Sequence, residues 1–574
     1  MKNLKNLLTI LLVVLLAFTV ISCQSTAPVV EPAPVVEPAP VVEPEVVVEP
    51  EVVVEPAPVV EPEVVVEPVK SSLPYGVEPI VKADNGNDTF DLFIVHTNDV
   101  HGRITASDDR IGYSKLATLV KAGRAITDYN LVLDAGDTIH GTNEVNFTKG
   151  ESAGILMGLV GYDAIAPGNH DFNFGADRLK ELAQLSEEFG GPKVLAANVL
   201  NEDGYNLFQP YQIYTFDGFD VAVIGLTTPD TKVKSHPDNT KGINFVTPEI
   251  IANAQMAIDL AHQIADYVIV LGHVGIDTDS LYGLTSEAIC ENINGIDLFV
   301  DGHSHTVLPE GLTVNDTLIV QTGEYLENVG LVQIRVENGE AKFEIPMVIP
   351  ASAVLDPANS DLVKATGLNI VNVPNDPVVD AYIEVLDKQI SAVLDQVVAE
   401  VPFKLVGERA QVRTKGTNLT KIFVEAMTKE SGADFTIVNG GGFRASIAKG
   451  EVTVGDINEV LPFTNILTMC EMTGADVIAA LEHGYRLLPE TNGGFAQSDL
   501  RVAYSRFAEP GSRVMRVSLP NGETLDENAV YTVATNDFLA AGGDGYSMFG
   551  KKVGEGKQLN EVLIDALAEK FPVK

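Results

Sequence analysis

Seven side chains of the kinds that hold divalent cations stand just beyond short apolar runs between positions 99 and 305. Leu92-Phe93-Ile94-Val95 leads to Asp99 and His101, Leu131-Val132-Leu133 to Asp137, and Ala164-Ile165-Ala166 to Asn169. Val268-Ile269-Val270-Leu271 leads to His273, and Ile296 to Val300 leads to His303 and His305. Aspartate, asparagine and histidine suit Zn, Mn or Fe, and no cysteine lies among them. One ion needs about four such groups, so seven point to two ions. Paired ions roughly 3.5–4 Å apart clamp a phosphate and activate water, and a carboxylate such as Asp137 is the natural bridge. His170, next to Asn169 but surplus to coordination, is the candidate for contacting a phosphoryl group or a leaving oxygen.

The runs are too short for helices, and each stops on glycine and polar residues, so they read as buried strands. In open α/β sheets ligands gather outside the carboxyl ends of strands, which would bring these distant side chains to one rim. Helical stretches at 113–125, 176–189 and 250–265 alternate with the runs, and 317–322 and 331–336 read as late strands of the same unit. This places an α/β domain at 89–346. A connector with Pro350, Pro357 and Pro374 follows, and helical spacing from Pro377 to Leu394 marks a helix joining two domains, so that the connecting segment is 347–395. The second domain, 396–574, carries Arg409 and Arg413 four residues apart and Arg444 after Gly440-Gly441-Gly442. Arginine's fork matches a carboxylate or phosphate, and glycines let backbone approach an anion.

The ordered series Asp99-x-His101, Gly136-Asp137, Gly168-Asn169-His170-Asp171, Gly272-His273 and Gly302-His303-Ser304-His305 resembles the calcineurin-like metallophosphoesterases. With Leu461-Pro462-Phe463-Thr464-Asn465 and the stretch from Phe538 to Tyr546, the chain resembles the two-domain bacterial 5′-nucleotidase family over roughly residues 90 to 550. The resemblance implies a four-layer α/β/β/α catalytic domain, a linker helix about which the domains rotate, and a C-terminal α+β nucleotide-binding domain. It implies one metal on Asp99, His101, Asp137 and His305, a second on Asp137, Asn169, His273 and His303, and His170 as the transition-state histidine. It also makes Phe463 and Phe538 a pair stacking on the base, Arg409, Arg413 and Arg444 anion contacts, Asn439 and Asn465 polar contacts, and Asp544 the ribose acceptor.

One position departs from that pattern. These nucleotidases usually place an aspartate three residues after the catalytic histidine, and Asn173 stands there. Gly-Asn-His-Asp-Phe-Asn is closer to 2′,3′-cyclic-nucleotide 2′-phosphodiesterases with 3′-nucleotidase activity. An amide cannot stabilise an imidazolium as a carboxylate does; either Asp171 compensates or His170 has a different role, and His170, Asp171 and Asn173 form the expected catalytic group. His96, His140, His236, His262 and His483 are read as structural or surface groups, His140 least firmly because it follows Asp137 by three residues.

Charge and termini bound the rest. With 38 Lys and Arg against 80 Asp and Glu the net charge is −42, which repels nucleic-acid polymers but leaves small nucleotides accessible through metal ions and a few arginines. Lys2 and Lys5 precede an apolar run from Leu7 to Ile21, short of the roughly 20 residues that a span needs, and Val20-Ile21-Ser22-Cys23 resembles a bacterial lipoprotein signal. Residues 1–22 are therefore read as a leader and Cys23 as the lipidated residue holding the protein to a membrane. Segment 23–88 is a stalk; from Ala27 to Pro68 it repeats Val-Val-Glu-Pro with ten glutamates and no basic residue. Proline at that frequency denies a sheet or helix its donors, and some forty extended residues would reach on the order of 130 Å. Cys290 and Cys470 fall in different domains, so no disulfide framework is read.

The resulting expectation is a lipid-anchored hydrolase on the periplasmic face or cell surface of a bacterial envelope, using two divalent metal ions (Zn, Mn or Fe) to release phosphate from nucleotides, with UDP-sugars and nucleoside di- or triphosphates as further substrates. The alternatives are a 2′,3′-cyclic-nucleotide phosphodiesterase and, in another class, a surface adhesion or nucleotide-binding lipoprotein without catalysis.

Overall fold

The computed structural model describes residues 76–573 apart from 189, 247–254, 256–257, 260, 277–282, 367–372 and 464. The leader, the lipidation site Cys23, most of the stalk and much of the predicted 250–265 helix lie outside the described residues.

Two sheets face each other in the N-terminal domain. One has seven strands in the order Ile80–Ala83, Tyr211–Phe216, Phe219–Thr227, Tyr267–His273, Leu298–Val300, Thr317–Val320 and Leu312–Val314. The other has six, in the order Glu340–Pro350, Asn328–Glu337, Thr89–Thr97, Asn130–Asp134, Ala164–Ile165 and Lys193–Val194. Alternate residues of both close the space between them: Leu92, Ile94, Leu131 and Leu133 from one sheet meet Val221, Val223, Ile269 and Leu271 from the other. The opposite faces are covered by helices, Gly112–Ile126 and Glu151–Val160 on the six-stranded sheet and Ser286–Asn292 on the seven-stranded one. Strands buried on both faces must be apolar throughout, which is why the runs read as continuous rather than alternating. Each fully buried Leu, Ile or Val side chain contributes about 1.5–3 kcal/mol. The result is the four-layer arrangement.

The domain is larger at both ends than 89–346. Ile80–Ala83 pairs in parallel with Tyr211–Phe216, so the end of the presumed stalk is an edge strand, and its brevity and flanking glycine-asparagine turn hid it among polar residues. Strand Glu340–Pro350 pairs along its length with Asn328–Glu337, and Ala351 and Val354 of the next short helix pack into the domain's core.

Helix Pro377–Leu394 joins the domains as its spacing predicts. Asp376 caps it by accepting from Val378 N (3.0 Å) and Val379 N (3.2 Å), with proline in the first turn. Val379, Ile383, Leu386 and Ile390 are its buried stripe. It packs on Gly112–Ile126 and Glu151–Val160 of the first domain and on Val454–Val460 of the second. The C-terminal domain is a five-stranded mixed sheet, in the order Ala496–Ser498, Phe435–Asn439, Val530–Asn536, Ile466–Thr473 and Lys552–Gln558, with separate apolar cores on its two faces. No helix among the described residues is long and apolar enough to cross a membrane.

Candidate metal centre and its pocket

All seven predicted ligands come from turns at the carboxyl ends of central strands, and six of them form two clusters. Ligand atoms of Asp99, His101 and His305 lie within 4.8 Å of one another, as do those of Asp137, His273 and His303. Asp137 connects the two: its Oδ2 is 3.3 Å from His273 Nε2 and 3.8 Å from His101 Nε2. His101 Nε2 and His305 Nε2 approach to 3.3 Å, as do His273 Nε2 and His303 Nδ1. Uncharged imidazole nitrogens converge in this way when a cation stands between them.

Two orphaned atoms test the fit. Asp99 Oδ1 and Asn169 Oδ1 are buried and have no hydrogen-bond partner, which is costly unless a cation takes the lone pairs. Burial works against a charge on His273, yet the Asp137 carboxylate raises it to about 10, so a positive charge is demanded at this point. Around the ligands, His273 Nδ1 bonds to Ala135 O (2.6 Å) and His305 Nδ1 faces the Glu324 carboxylate, which leaves each Nε2 free to coordinate. The donor set therefore fits two divalent ions. It is held under strain: Asp99, His101, Asp137, His303 and His305 all have positive φ, between 47° and 75°. Such residues cost of order 1–3 kcal/mol each and persist only where the surroundings enforce them. Gly136, at φ 85°, lets the Asp137 turn touch the backbone of Ala166 and Gly168, where a Cβ would collide.

The expected catalytic group divides. His170 lines the cavity, and its backbone N–H donates to Asp137 Oδ1 (2.7 Å). Asn173 also lines it, with Nδ2 2.9 Å from His170 Nδ1. Asp171 does not belong with them. It is buried away from the cavity, its oxygens accepting from the backbone N–H groups of Asp137, Gly168, Thr138 and Ile139 at 2.8–2.9 Å. It staples two ligand turns together and is no substitute for the missing aspartate. Burial, opposed in part by those N–H donors, raises it to about 6.

The eight C-terminal candidates all face the same cavity of about 360 Å³. Arg409, Arg413 and Arg444 of the second domain line it together with the ligand candidates, Arg409 reaching His305 itself. Burial and the neighbouring Arg409 and Arg444 lower Arg413 to about 9, and its buried Nε has no hydrogen-bond partner, a setting that suits an anionic group. Phe463 and Phe538 both line the cavity; Arg444 lies 5.8 Å from the centre of the Phe463 ring. Asn439 Nδ2 donates to Asp544 Oδ2 (2.8 Å) and Asn465 Nδ2 to Asp537 Oδ1 (2.9 Å), which orients both amides at the rim.

Several contributors escaped the sequence reading. Glu324 is held at about 2, its burial outweighed by His305 and Arg409. It follows strand Thr317–Val320, so the same strand-end rule applied one strand further would have found it. His140 is buried beside Phe463, and Lys234 and His236 line the cavity from the catalytic domain. Only His140 carries a local signal, its place three residues after Asp137; Lys234 and His236 carry none.

Comparison with known proteins agrees with both halves. A model described as calcineurin-like phosphoesterase matches residues 93–307, and one described as 5′-nucleotidase, C-terminal domain, matches 397–551. The chain is 30% identical over 488 residues to the protein UshA of Yersinia enterocolitica, covering 80% of this chain and 86% of that one. It is 29% identical over 553 residues to the trifunctional nucleotide phosphoesterase YfkN of Bacillus subtilis, covering 87% of this chain but spanning only 35% of that relative's length. A crystal structure of a 5′-nucleotidase precursor from Thermus thermophilus superposes with a TM-score of 0.72 at 30% identity, covering 84% of this chain and 97% of that one.

Proposed function

Given that the chain belongs to the two-domain 5′-nucleotidase family of metal-dependent phosphoesterases, we propose that it releases phosphate from nucleotides in the cavity between its domains. One observation carries the reading: a single cavity joins the metal ligands Asp137, Asn169, His303 and His305 to Arg413, Phe463 and Phe538 of the other domain. A phosphate at the ligand end and a nucleoside at the aromatic end would occupy it together.

In this reading Asp99, His101, Asp137 and His305 would hold one ion, and Asp137, Asn169, His273 and His303 the other. When bound, the two ions would polarise the phosphoryl oxygens and lower the pKa of water toward about 7. His170 presents Nε2 to the phosphoryl or leaving oxygen while its backbone N–H keeps Asp137 oriented. Arg409, Arg413 and Arg444 bind and place the anion. Phe463 and Phe538 clamp the base, Asn439 and Asn465 meet the nucleoside, and Asp544 accepts from the ribose. A π-face takes any base, so discrimination between bases is weak.

The deciding experiment is phosphate release from 5′-AMP, UDP-glucose and 2′,3′-cyclic AMP side by side, with metal content measured on the same preparation and on Asp137→Asn. Turnover of 5′-AMP that falls with metal content in Asp137→Asn supports the reading. Exclusive turnover of the cyclic nucleotide, the reading that Asn173 favours, overturns it; so does a metal-replete protein that turns over none of the three.

The leader-like start and Cys23 support an outward-facing, lipid-anchored placement, with the Pro/Glu/Val repeat as a spacer from the membrane. Nucleotides outside the cytoplasm would then be the substrates.

A further inference from the structure

His140 belongs to no ligand cluster, yet it touches both the catalytic histidine's support and the ring that the second domain brings to the site. Asn173 lies between two imidazoles: its Nδ2 is 2.9 Å from His170 Nδ1 and 3.3 Å from His140 Nδ1. Ser235 Oγ donates to Asn173 Oδ1 from the other side (3.1 Å). An amide nitrogen carries two hydrogens and no lone pair to offer, so with this orientation each ring accepts at Nδ1 and keeps its proton on Nε2. His140, His170 and Phe463 also form a triangle of nearly parallel rings. The His140 ring lies 5.3 Å from Phe463 at 13° and 6.0 Å from His170 at 15°, and His170 lies 5.5 Å from Phe463 at 27°.

We propose that His140 is a positioning residue with two separable roles: it takes the second N–H of the Asn173 amide, which locks that amide to hold His170 as an Nε2–H donor, and it backs the Phe463 ring where the two domains meet. Without an acceptor at position 140 the amide is free to turn its oxygen toward His170, which would move the ring proton to Nδ1 and leave a bare nitrogen facing the phosphoryl oxygens. Without a ring at 140 the amide stays locked, but Phe463 loses the surface that sets its place. An asparagine shared by two rings thus stands where the carboxylate–imidazole pair of related enzymes would be, and it delivers a neutral donor.

Two variants divide the roles. His140→Asn keeps an acceptor near the Nδ1 position and loses the ring; His140→Phe keeps a ring and loses the acceptor. In Zn²⁺-loaded protein labelled with ¹⁵N-histidine, two-bond ¹⁵N–¹H spectra report the tautomer of His170, assigned by its disappearance in His170→Ala. The tautomer is expected to be Nε2–H in the wild type and in His140→Asn, and to shift toward Nδ1–H in His140→Phe. In kinetics, His140→Phe should lower kcat for 5′-AMP and for p-nitrophenyl phosphate alike by about tenfold, while His140→Asn should lower the 5′-AMP to p-nitrophenyl phosphate ratio of kcat/KM by about tenfold. Wild-type His170 protonated at Nδ1, a His170 tautomer unmoved in His140→Phe, or a substrate ratio unmoved in His140→Asn each overturns the proposal. The kinetic arm rests on the phosphoesterase reading, and the tautomer arm does not. Absent turnover in the wild type would therefore sink that reading while the spectra still decide the part played by His140.

Discussion

Arg409 of the C-terminal domain brings its Nη1 to within 2.5 Å of Nδ1 of His305, a metal-ligand candidate of the N-terminal domain. The same guanidinium lies 3.8 Å from Glu324, so it rests on groups that belong to the metal centre. A nucleotide's phosphate entering the cavity would offer it a better partner, because a charge-assisted fork to phosphate is stronger than a contact shared with an imidazole. Arg409→Ala should raise KM for 5′-AMP by roughly tenfold to a hundredfold, equivalent to the loss of about 1.5–3 kcal/mol from a hydrogen bond to a charged group. Metal content should stay at two ions per chain. Steady-state kinetics with metal analysis on one preparation checks both; a fall in metal content with unchanged KM would count against the anion role.

Glu324 should matter through the metal. Its carboxylate holds Nδ1 of His305, and outer partners of this kind are worth about 10–100-fold in metal affinity. Glu324→Gln should lose one ion at chelator concentrations that leave the wild type loaded, and excess metal should restore activity. Titration with a chelator followed by metal readdition measures this, and failure of readdition to restore turnover would argue for a role other than holding the ligand.

The linker helix carries a pH-dependent contribution to stability. Burial works against ionisation of Asp376, but bonds from Lys121 and from the Val379 and Val378 N–H groups hold it below its ordinary value of 3.8. A carboxylate lowered in the folded state stabilises fully above its unfolded pKa, and that contribution fades as pH falls through the folded value. Asp376→Ala should cost about 1 kcal/mol at pH 7. Denaturant midpoints of the two proteins should converge as the pH falls below 3.8; a constant difference would show that the cap acts without its charge.

Anchoring through Cys23 is tested by expression in a bacterial host with a lipoprotein pathway. The wild type should sediment with membranes and take up labelled palmitate, and Cys23→Ser should do neither. A Cys23→Ser chain that remains in the membrane fraction would mean that the apolar run itself is the anchor.

Much of the centre was readable from residue types because strands are local. An apolar run ending in glycine and a polar group announces a strand and its carboxyl end wherever it falls, and five such ends carried all seven candidate ligands. The arginines stood out beside glycines, whereas both phenylalanines were singled out through the family resemblance; all of them line the cavity. Asp171 was misjudged because a carboxylate beside a catalytic histidine has the same local sequence whether it turns to the cavity or to the backbone; four N–H groups from turns at 137–139 and 168 claimed it.

What the sequence by itself determined is which elements form and which chemistry they can carry, since strand runs, helix stripes and ligand types depend on side chains near one another in the chain. Only the tertiary structure decided the rest. Five of the seven candidate ligands take a left-handed backbone that no aspartate or histidine prefers alone, and it holds only because neighbouring turns from separate strands pack against them. Glu324 reaches His305 because the 317–320 strand lies beside 298–300, and His140 meets Phe463 because the second domain packs against the first there. Contacts of that kind join residues far apart in sequence, so their energies are set by how sheets and domains pack and leave no mark in any single stretch.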